Sequence, residues 1–180
     1  HFLGFHGVSG RGEPFKSGGR VVKNVTGYDL CKLMCGAYGT LALMTDVTMK
    51  VLPAAETTRT VLLRGLDDAT AVRALTAGLH SAYDISGAAH LPGPAAQRIG
   101  IPGVGGGDSA VTAVRIEGPP VSVKHRAGKI AEEVLTGFGK AEIIEDEASR
   151  RFWADVRDVK PFVGLDGFDV WRLSVPPAEG

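Results

Sequence analysis

Two short glycine-containing stretches near the start of the chain hold the residues best suited to binding a ligand. They cover residues 18–33 and 36–45. The glycines would let a ligand come close to the backbone, and the short polar residues could hydrogen-bond to it. The apolar residues could form a wall against it. These residues are Gly27, Gly36 and Gly39; Asn24, Thr26 and Thr40; and Leu41, Leu43 and Met44. The pattern predicts a site for a flat or phosphorylated ligand, and two ordinary glycine turns in a small β domain are the alternative.

The same stretches carry three short motifs in a fixed order. An Asn-Val-Thr-Gly-Tyr-Asp-Leu segment occupies residues 24–30, a Gly-Ala-Tyr-Gly-Thr-Leu-Ala segment residues 36–42, and a Lys-Val-Leu-Pro segment residues 50–53. This order resembles the end of the flavin domain in the vanillyl-alcohol-oxidase (PCMH-type) family of FAD-linked oxidases. Within that family, the turn at residues 10–13 and the Trp-Arg-Leu-Ser-Val-Pro segment at residues 171–176 resemble the FAD-binding E subunits of bacterial glycolate oxidases.

The resemblance implies a cofactor, a reaction and partners. Family members bind FAD between two subdomains and use the flavin to take a hydride from a substrate carbon. In glycolate oxidases the substrate is a 2-hydroxy acid, of the glycolate or D-lactate type, and electrons leave through an iron–sulfur subunit. The expected partners are therefore a catalytic flavin subunit and an iron–sulfur subunit. By motif matching, the predicted FAD-binding residues are Asn24, Gly27, Tyr28, Gly36, Gly39, Thr40, Leu41 and Leu43. No catalytic residue is identified.

The chain departs from the family pattern in three ways. Ala37 replaces a serine, and Ala42 replaces a glycine that would tolerate a positive φ angle. The family's glycine-rich pyrophosphate loop precedes the part that this chain matches, so we expect a C-terminal fragment that is inactive alone. Two alternatives remain: a non-catalytic scaffold subunit that docks a catalytic flavin subunit, and an enzyme of the same superfamily with another alcohol or acid substrate.

Composition excludes several classes of protein. The 180 residues include 20 basic and 20 acidic side chains, for a formal net charge of zero, which argues against a nucleic-acid binder. Hydrophobic residues make up 44% of the chain, enough for a globular core. The uncharged stretch at residues 33–45 is too short to span a bilayer. We expect a cytoplasmic protein, with any membrane association made peripherally through partners.

The residue pattern predicts strands and tight turns over residues 1–56. We predict that they form the C-terminal part of a FAD-binding domain. The expected elements are a hairpin around the turn at residues 9–13, an extended piece at 20–23, a short helix at 29–34 and a half-buried strand at 45–52.

Residues 57–180 alternate between strand and helix patterns. We predict that they form an incomplete C-terminal substrate or cap domain of FAD-linked oxidases. Strands are predicted at residues 58–64, 85–91, 110–116, 141–144 and 168–175, and helices at 69–83, at 123–138 and from a cap at Asp146. The fold class is therefore α+β: the end of a PCMH-type FAD-binding subdomain, then a ferredoxin-like sandwich with an antiparallel sheet and helices on one face.

Two arginines late in the chain are candidates for binding a substrate carboxylate. Arg157 lies four residues after Trp153 in the third predicted helix, and Arg172 follows Trp171. Arginine can form two parallel hydrogen bonds with a carboxylate. The alternative is that these arginine stems cover apolar surface where the helix packs on the last strand.

The sequence predicts no metal site. Cys31 and Cys35 lack the spacing and further ligands of a metal or redox pair, so we expect structural thiols. The five histidines show no ligand spacing, and His90 is assigned a surface or packing role. The glycine-rich residues 103–108 precede a strand rather than a helix, which favours a flexible loop over a phosphate site.

Overall fold

The computed structural model describes residues 1–22, 27–101, 104 and 109–176. Asn24 and nearly all of the glycine-rich loop at 103–108 lie outside the described residues. The chain divides into two units, His1–Ala54 and Ala55–Gly180. The boundary predicted from sequence, between residues 56 and 57, lies two positions further along.

The first unit contains a three-stranded antiparallel sheet and one short helix. Strand β1 (Phe2–Ser9) lies between β2 (Pro14–Gly18) and β3 (Ala42–Met49), and helix α1 covers Leu30–Met34. The Asp29 carboxylate caps α1 by accepting a hydrogen bond from the Lys32 amide at 3.1 Å. The expected hairpin and short helix are present, whereas residues 20–22 form no strand.

The core of the first unit is small. Its buried residues are Phe5, Cys31, Met34 and Ala42. Strand β3 begins and ends three residues earlier than predicted, and it is mostly exposed rather than half-buried. Leu43 is 70% exposed and Met49 is 54% exposed. The reason is that β3 pairs only with β1 among the described strands, and the small core covers little of its surface.

Strands β1 and β2 approach each other too closely for side chains at one point. A Cβ atom built on Gly18 would lie 2.1 Å from the Leu3 carbonyl oxygen and 3.0 Å from the Cys31 Sγ. Gly18 also has a φ angle of 72°. Glycine at this position therefore allows both the left-handed backbone and the packing of α1 against the hairpin.

The second unit has the predicted ferredoxin-like fold. Its strands are β4 (Thr57–Arg64), β5 (Gly87–Leu91), β6 (Val111–Gly118) and β7 (Glu142–Glu145), and its helices are α2 (Asp68–Leu79), α3 (Gly93–Ala96), α4 (Pro120–Lys129) and α5 (Asp146–Arg157). The strands run in the order β5-β6-β4-β7, and all neighbours are antiparallel. The predicted α+β fold class is confirmed.

Helices cover both faces of this sheet. Helices α2 and α4 pack on the face that carries Val61 and Val114, as predicted. Helices α3 and α5 pack on the opposite face, against Leu62 and Ala113. The prediction of helices on one face is therefore wrong for α5, and α3, which lies on the same face as α5, falls in a segment predicted to be a loop. The physical reason is that β4 and β6 are apolar on both faces, and burying both requires a layer on each side.

Other predicted elements of this unit also need correction. Helix α2 ends at Leu79 rather than at residue 83. The N-cap of α5 is Glu145, not Asp146, and it makes no side-chain capping bond. Residues 168–175 form no strand, because no described strand pairs with them, and Trp171 is 81% exposed.

The helix predicted at residues 123–138 changes its winding part of the way along. After α4, a π-helical turn spans Ile130–Val134, and a 3-10 turn spans Thr136–Phe138. The Leu135 amide donates to the Ile130 carbonyl at 2.9 Å, five residues back. This wider turn brings Leu135 into the core, where regular helical spacing had predicted Val134.

A buried chain of hydrogen bonds joins β4 to α5. The Trp153 indole donates to the Thr60 hydroxyl at 2.8 Å. The Ser149 hydroxyl lies 2.7 Å from that of Thr60 and 3.2 Å from that of Thr58. Ser149 is fully buried, so water cannot replace these bonds.

Ser149→Ala is expected to lower the free energy of unfolding by about 1–3 kcal/mol, because Thr58 loses its side-chain partner in a buried site. Denaturant unfolding followed by circular dichroism measures the change. Arg151→Ala, at an exposed position on the same helix, is the control and should stay within about 0.5 kcal/mol of wild type. Equal stability of Ser149→Ala and wild type would contradict the role given to this network.

Candidate functional site

The second predicted motif folds into a tight turn with left-handed backbone. The Thr40 amide donates to the Ala37 carbonyl at 3.0 Å, and the Thr40 hydroxyl donates to the same oxygen at 2.6 Å. The two central residues, Tyr38 and Gly39, have φ angles of 51° and 76°. Gly36, just before the turn, has a φ angle of 84°. The turn therefore presents backbone where most residues would present side chains.

The space beside this turn is open. A Cβ atom built on Gly36 or on Gly39 would meet no atom within 4 Å. Glycine is thus required here for backbone conformation, not because protein atoms crowd the position. The open space leaves room for a ligand to approach the backbone, as the motif predicts.

The residues after the turn carry the predicted apolar wall. Leu41 is 50% exposed and Leu43 is 70% exposed, whereas Ala42 is buried between them. Ala42 lies in β3 without a positive φ angle, so its replacement of the family glycine causes no strain. Ala37 contributes its carbonyl oxygen to the turn, a role that its side chain does not affect.

The first motif borders a separate cleft of about 220 Å³. Gly27 and Tyr28 line it together with residues of β1, β2 and α1. Tyr28 is 93% exposed. The predicted residues therefore fall into two groups. Gly27 and Tyr28 line this cleft, whereas the other described members do not: Gly36, Gly39, Thr40, Leu41 and Leu43.

The two cysteines of α1 occupy different environments. Cys31 is buried in the core of the first unit, where its thiol lies 4.0 Å from the Ser17 carbonyl oxygen, and Cys35 is exposed. Burial raises the pKa of Cys31, and the negative charge of Asp29 adds to that effect. Among the described residues, no group of three or more His, Cys, Asp or Glu side chains could hold a metal ion.

His90 connects helix α2 to the sheet of the second unit. Its Nε2 lies 3.0 Å from the Asp68 carboxylate, and its Nδ1 lies 2.9 Å from the Thr112 hydroxyl. The His90 side chain is 13% exposed. These contacts are those of a packing residue that ties the first turn of α2 to β5 and β6.

The two predicted carboxylate-binding arginines lie in different places. Arg157 borders a groove between α5 and strands β4 and β6, and its guanidinium pairs with Asp158 at 2.8 Å. That pairing raises the pKa of Arg157 and lowers the pKa of Asp158. Arg172 lies in the exposed segment after residue 167, beside Trp171 and Phe162. The structure does not bring the two together in one pocket.

Sequence reasoning missed other residues of the groove. Arg115 and Glu117 of β6 and Arg150 of α5 line it beside Arg157. The spacing of Arg150, Ala154 and Arg157 on one helix face was a usable signal. The sequence did not indicate that β6 lines the same groove, because 33 positions separate Glu117 from Arg150 along the chain.

Comparison with known proteins identifies relatives of the chain. No protein-family model matches it. Over 175 residues it is 32% identical to glycolate oxidase subunit GlcE of Escherichia coli strain K12, an alignment that covers 97% of the chain and 41% of that protein. The predicted resemblance is confirmed. The chain is similar to this E subunit and spans about two fifths of its length.

Two further comparisons agree with this relationship. The chain is 37% identical over 62 residues to glycolate oxidase subunit GlcD of Bacillus subtilis strain 168, which covers 34% of the chain and 13% of that protein. The solved structure of p-cresol methylhydroxylase with substrate bound matches with a TM-score of 0.55 at 16% identity, over 80% of the chain and 34% of that structure. At this identity the match shows the fold alone.

No helix in the described residues has the length and hydrophobicity needed to cross a membrane.

Cys35 is expected to react with a thiol reagent faster than Cys31, because thiolate is the reacting form and burial with a raised pKa keeps Cys31 protonated. A labelling time course near pH 8 should show one fast and one slow thiol. Cys35→Ser should remove the fast phase and Cys31→Ser the slow one. Equal rates for the two thiols would contradict the assigned environments.

Proposed function

We propose that this chain is part of a FAD-linked oxidoreductase subunit that oxidises a 2-hydroxy acid of the glycolate or D-lactate type. The observation that carries the proposal is the left-handed turn at residues 36–40 with open space beside its glycines and exposed leucines after it. The similarity to glycolate oxidase subunit GlcE over 97% of the chain supports the same assignment.

The described residues fit part of a flavin site. Gly36 and Gly39 would let the cofactor approach the backbone, and the Leu41 and Leu43 side chains offer apolar surface for an aromatic ring system. The other proposed FAD-binding residues in the described part of the chain are Gly27, Tyr28 and Thr40. The motif adds Asn24 to this set. When bound, FAD supplies the acceptor for a hydride from the carbon that bears the substrate hydroxyl. The protein's share is to hold and orient the cofactor.

The two units receive different proposed roles. Residues 1–56 are proposed to belong to the FAD-binding domain, and residues 57–180 to the substrate or cap domain. The names of the relatives GlcE and GlcD describe subunits of a glycolate oxidase. We accordingly propose that the whole protein assembles with a catalytic flavin subunit and an iron–sulfur subunit, and that it lies in the cytoplasm with any membrane contact made through these partners.

Gly39→Asn in the full-length protein tests the cofactor site. Asparagine tolerates left-handed backbone, so the turn should persist while the new side chain fills the space reserved for flavin. Flavin content, measured by absorbance after purification, is expected to fall, because the Kd for FAD should rise at least about tenfold, the effect of losing roughly 1.4 kcal/mol of binding energy.

The hairpin glycine Gly12 offers a matched control. It has a φ angle of 79°, and a Cβ atom there would also meet nothing within 4 Å, but it lies outside the proposed site. Gly12→Asn should therefore keep the wild-type flavin content. Full flavin content in Gly39→Asn, or equal loss in both variants, would sink the assignment of the turn to the cofactor.

Anaerobic reduction separates an enzyme from a scaffold. The full-length flavoprotein is mixed with glycolate or with D-lactate, and the flavin absorbance is followed. Bleaching by either acid supports the proposed oxidation. Bound flavin that neither acid reduces would overturn it in favour of a non-catalytic scaffold subunit or an enzyme with another substrate.

A further inference from the structure

Strand β3 is an edge strand with one open side. Among the described strands of the first unit it pairs with β1 alone, so its other edge carries backbone groups without a strand partner. The Lys50 amide donates to the His1 carbonyl at 2.8 Å, which extends the pairing with β1 one residue beyond β3. Because alternate residues of an antiparallel strand direct their amides and carbonyls to opposite edges, Val47 and Met49 direct theirs to the open edge.

The face of β3 that continues the core of the first unit is apolar. Val47 lies opposite Phe5, which is buried in that core, and Met49 lies opposite Phe2, which packs against it. Residues directly opposite each other in an antiparallel pair share a face of the sheet. Val47 is nevertheless 57% exposed and Met49 is 54% exposed. The core therefore stops short of the open edge and leaves these two side chains partly uncovered.

The other face of the same edge carries one acid and one base. Asp46 lies opposite His6 of β1, and its side chain is 72% exposed. Lys50, four residues later, lies on the same face by strand alternation and is exposed. Within the described residues no ion pair includes Lys50. Thr48 lies midway between the two charges, so the edge is complementary to an antiparallel copy of itself.

We propose that the open edge of β3 pairs with the same edge of a second copy of this chain. The two strands run antiparallel about a two-fold axis at Thr48. Asp46 of each copy then lies opposite Lys50 of the other on one face. On the other face Val47 lies opposite Met49, and the amides and carbonyls of these two residues hydrogen-bond across the interface. Two three-stranded sheets thereby become one sheet of six strands.

The charges select this register over its neighbours. A two-fold axis at Val47 would place Asp46 opposite Thr48, and an axis at Met49 would place it opposite Leu52. Of these three arrangements, the one centred on Thr48 gives each carboxylate an ammonium partner. Charges on an edge strand commonly prevent pairing with other chains, but opposite signs at these positions favour pairing with an identical chain. The inference goes beyond the proposed function, since neither flavin nor substrate takes part in the interface.

Sedimentation velocity of the full-length protein tests this inference directly. Wild type is expected to be a dimer at about 50 µM protein, with a dimer Kd at or below about 10 µM. Amides within residues 46–50 should be protected from hydrogen exchange in the dimer and should lose that protection on dilution. A monomeric wild type would overturn the inference, and protected amides in that monomer would assign the edge to another segment of the same polypeptide.

Charge reversals locate the interface. Asp46→Lys alone, or Lys50→Asp alone, creates two like-charge pairs across the axis, and each should raise the dimer Kd at least about tenfold. A mixture of these two variants should form a heterodimer as tightly as wild type forms a homodimer, because each copy offers the charge that the other lacks. The variant that carries both changes should also recover the wild-type Kd. Recovery on mixing requires folded chains, so loss of the dimer through misfolding is recognised.

Lys16→Asp is the matched control. Lys16 is exposed on β2, at the opposite edge of the sheet, and within the described residues no ion pair includes it. The same change of charge there should leave the dimer Kd within about twofold of wild type. Equal weakening in this control, single variants that dimerise like wild type, or single variants that do not recover on mixing would each overturn the inference. Sedimentation reads mass and the cofactor proposal is read from flavin content, so either can fail without the other.

Discussion

The second unit depends on strand β4 being buried on both of its faces. Residues 60–63 are all nearly inaccessible to solvent, although neighbouring side chains of a strand point to opposite sides. Antiparallel sheets often leave one face to water, but this one cannot, because Val61 and Leu63 face one side and Leu62 faces the other. The layers α2–α4 and α3–α5 meet this requirement. The ferredoxin-like order places β4 between β6 and β7, where the strand also has partners on both edges.

Helix α5 covers one face of β4 and also forms part of the surface groove. Its inner side supplies Phe152 to the core and hydrogen-bonds the hydroxyls of β4 through Ser149 and Trp153. These contacts fix the rotation of the helix about its axis. Once the inner residues are set, the helical period places Arg150 and Arg157 along the groove between α5 and strands β4 and β6. The groove is thus a geometric consequence of how the core is closed.

The first unit depends on its backbone geometry more than on a buried core. Its buried cluster is small, and its architecture depends on backbone geometry: the close contact at Gly18 and the left-handed turn that ends at Thr40. Tyr38 adopts a left-handed conformation that costs a non-glycine residue about 1–2 kcal/mol. The turn persists because its hydrogen bonds and the start of β3 hold it. Strained, exposed backbone next to apolar surface is a feature of ligand sites more than of packing cores.

The sequence by itself determined the local features of this protein. The hairpin turn, the short helix near residue 30, the motif order and the alternation of strands and helices could be predicted, because each depends on residues close together along the chain. Tertiary structure alone decided which face α5 covers, that Leu135 enters the core, that residues 168–175 form no strand, and that Glu117 meets Arg150 in one groove. Periodicity reports which side of an element is apolar. It carries no information on which distant surface buries that side, and that choice depends on packing between segments far apart in sequence.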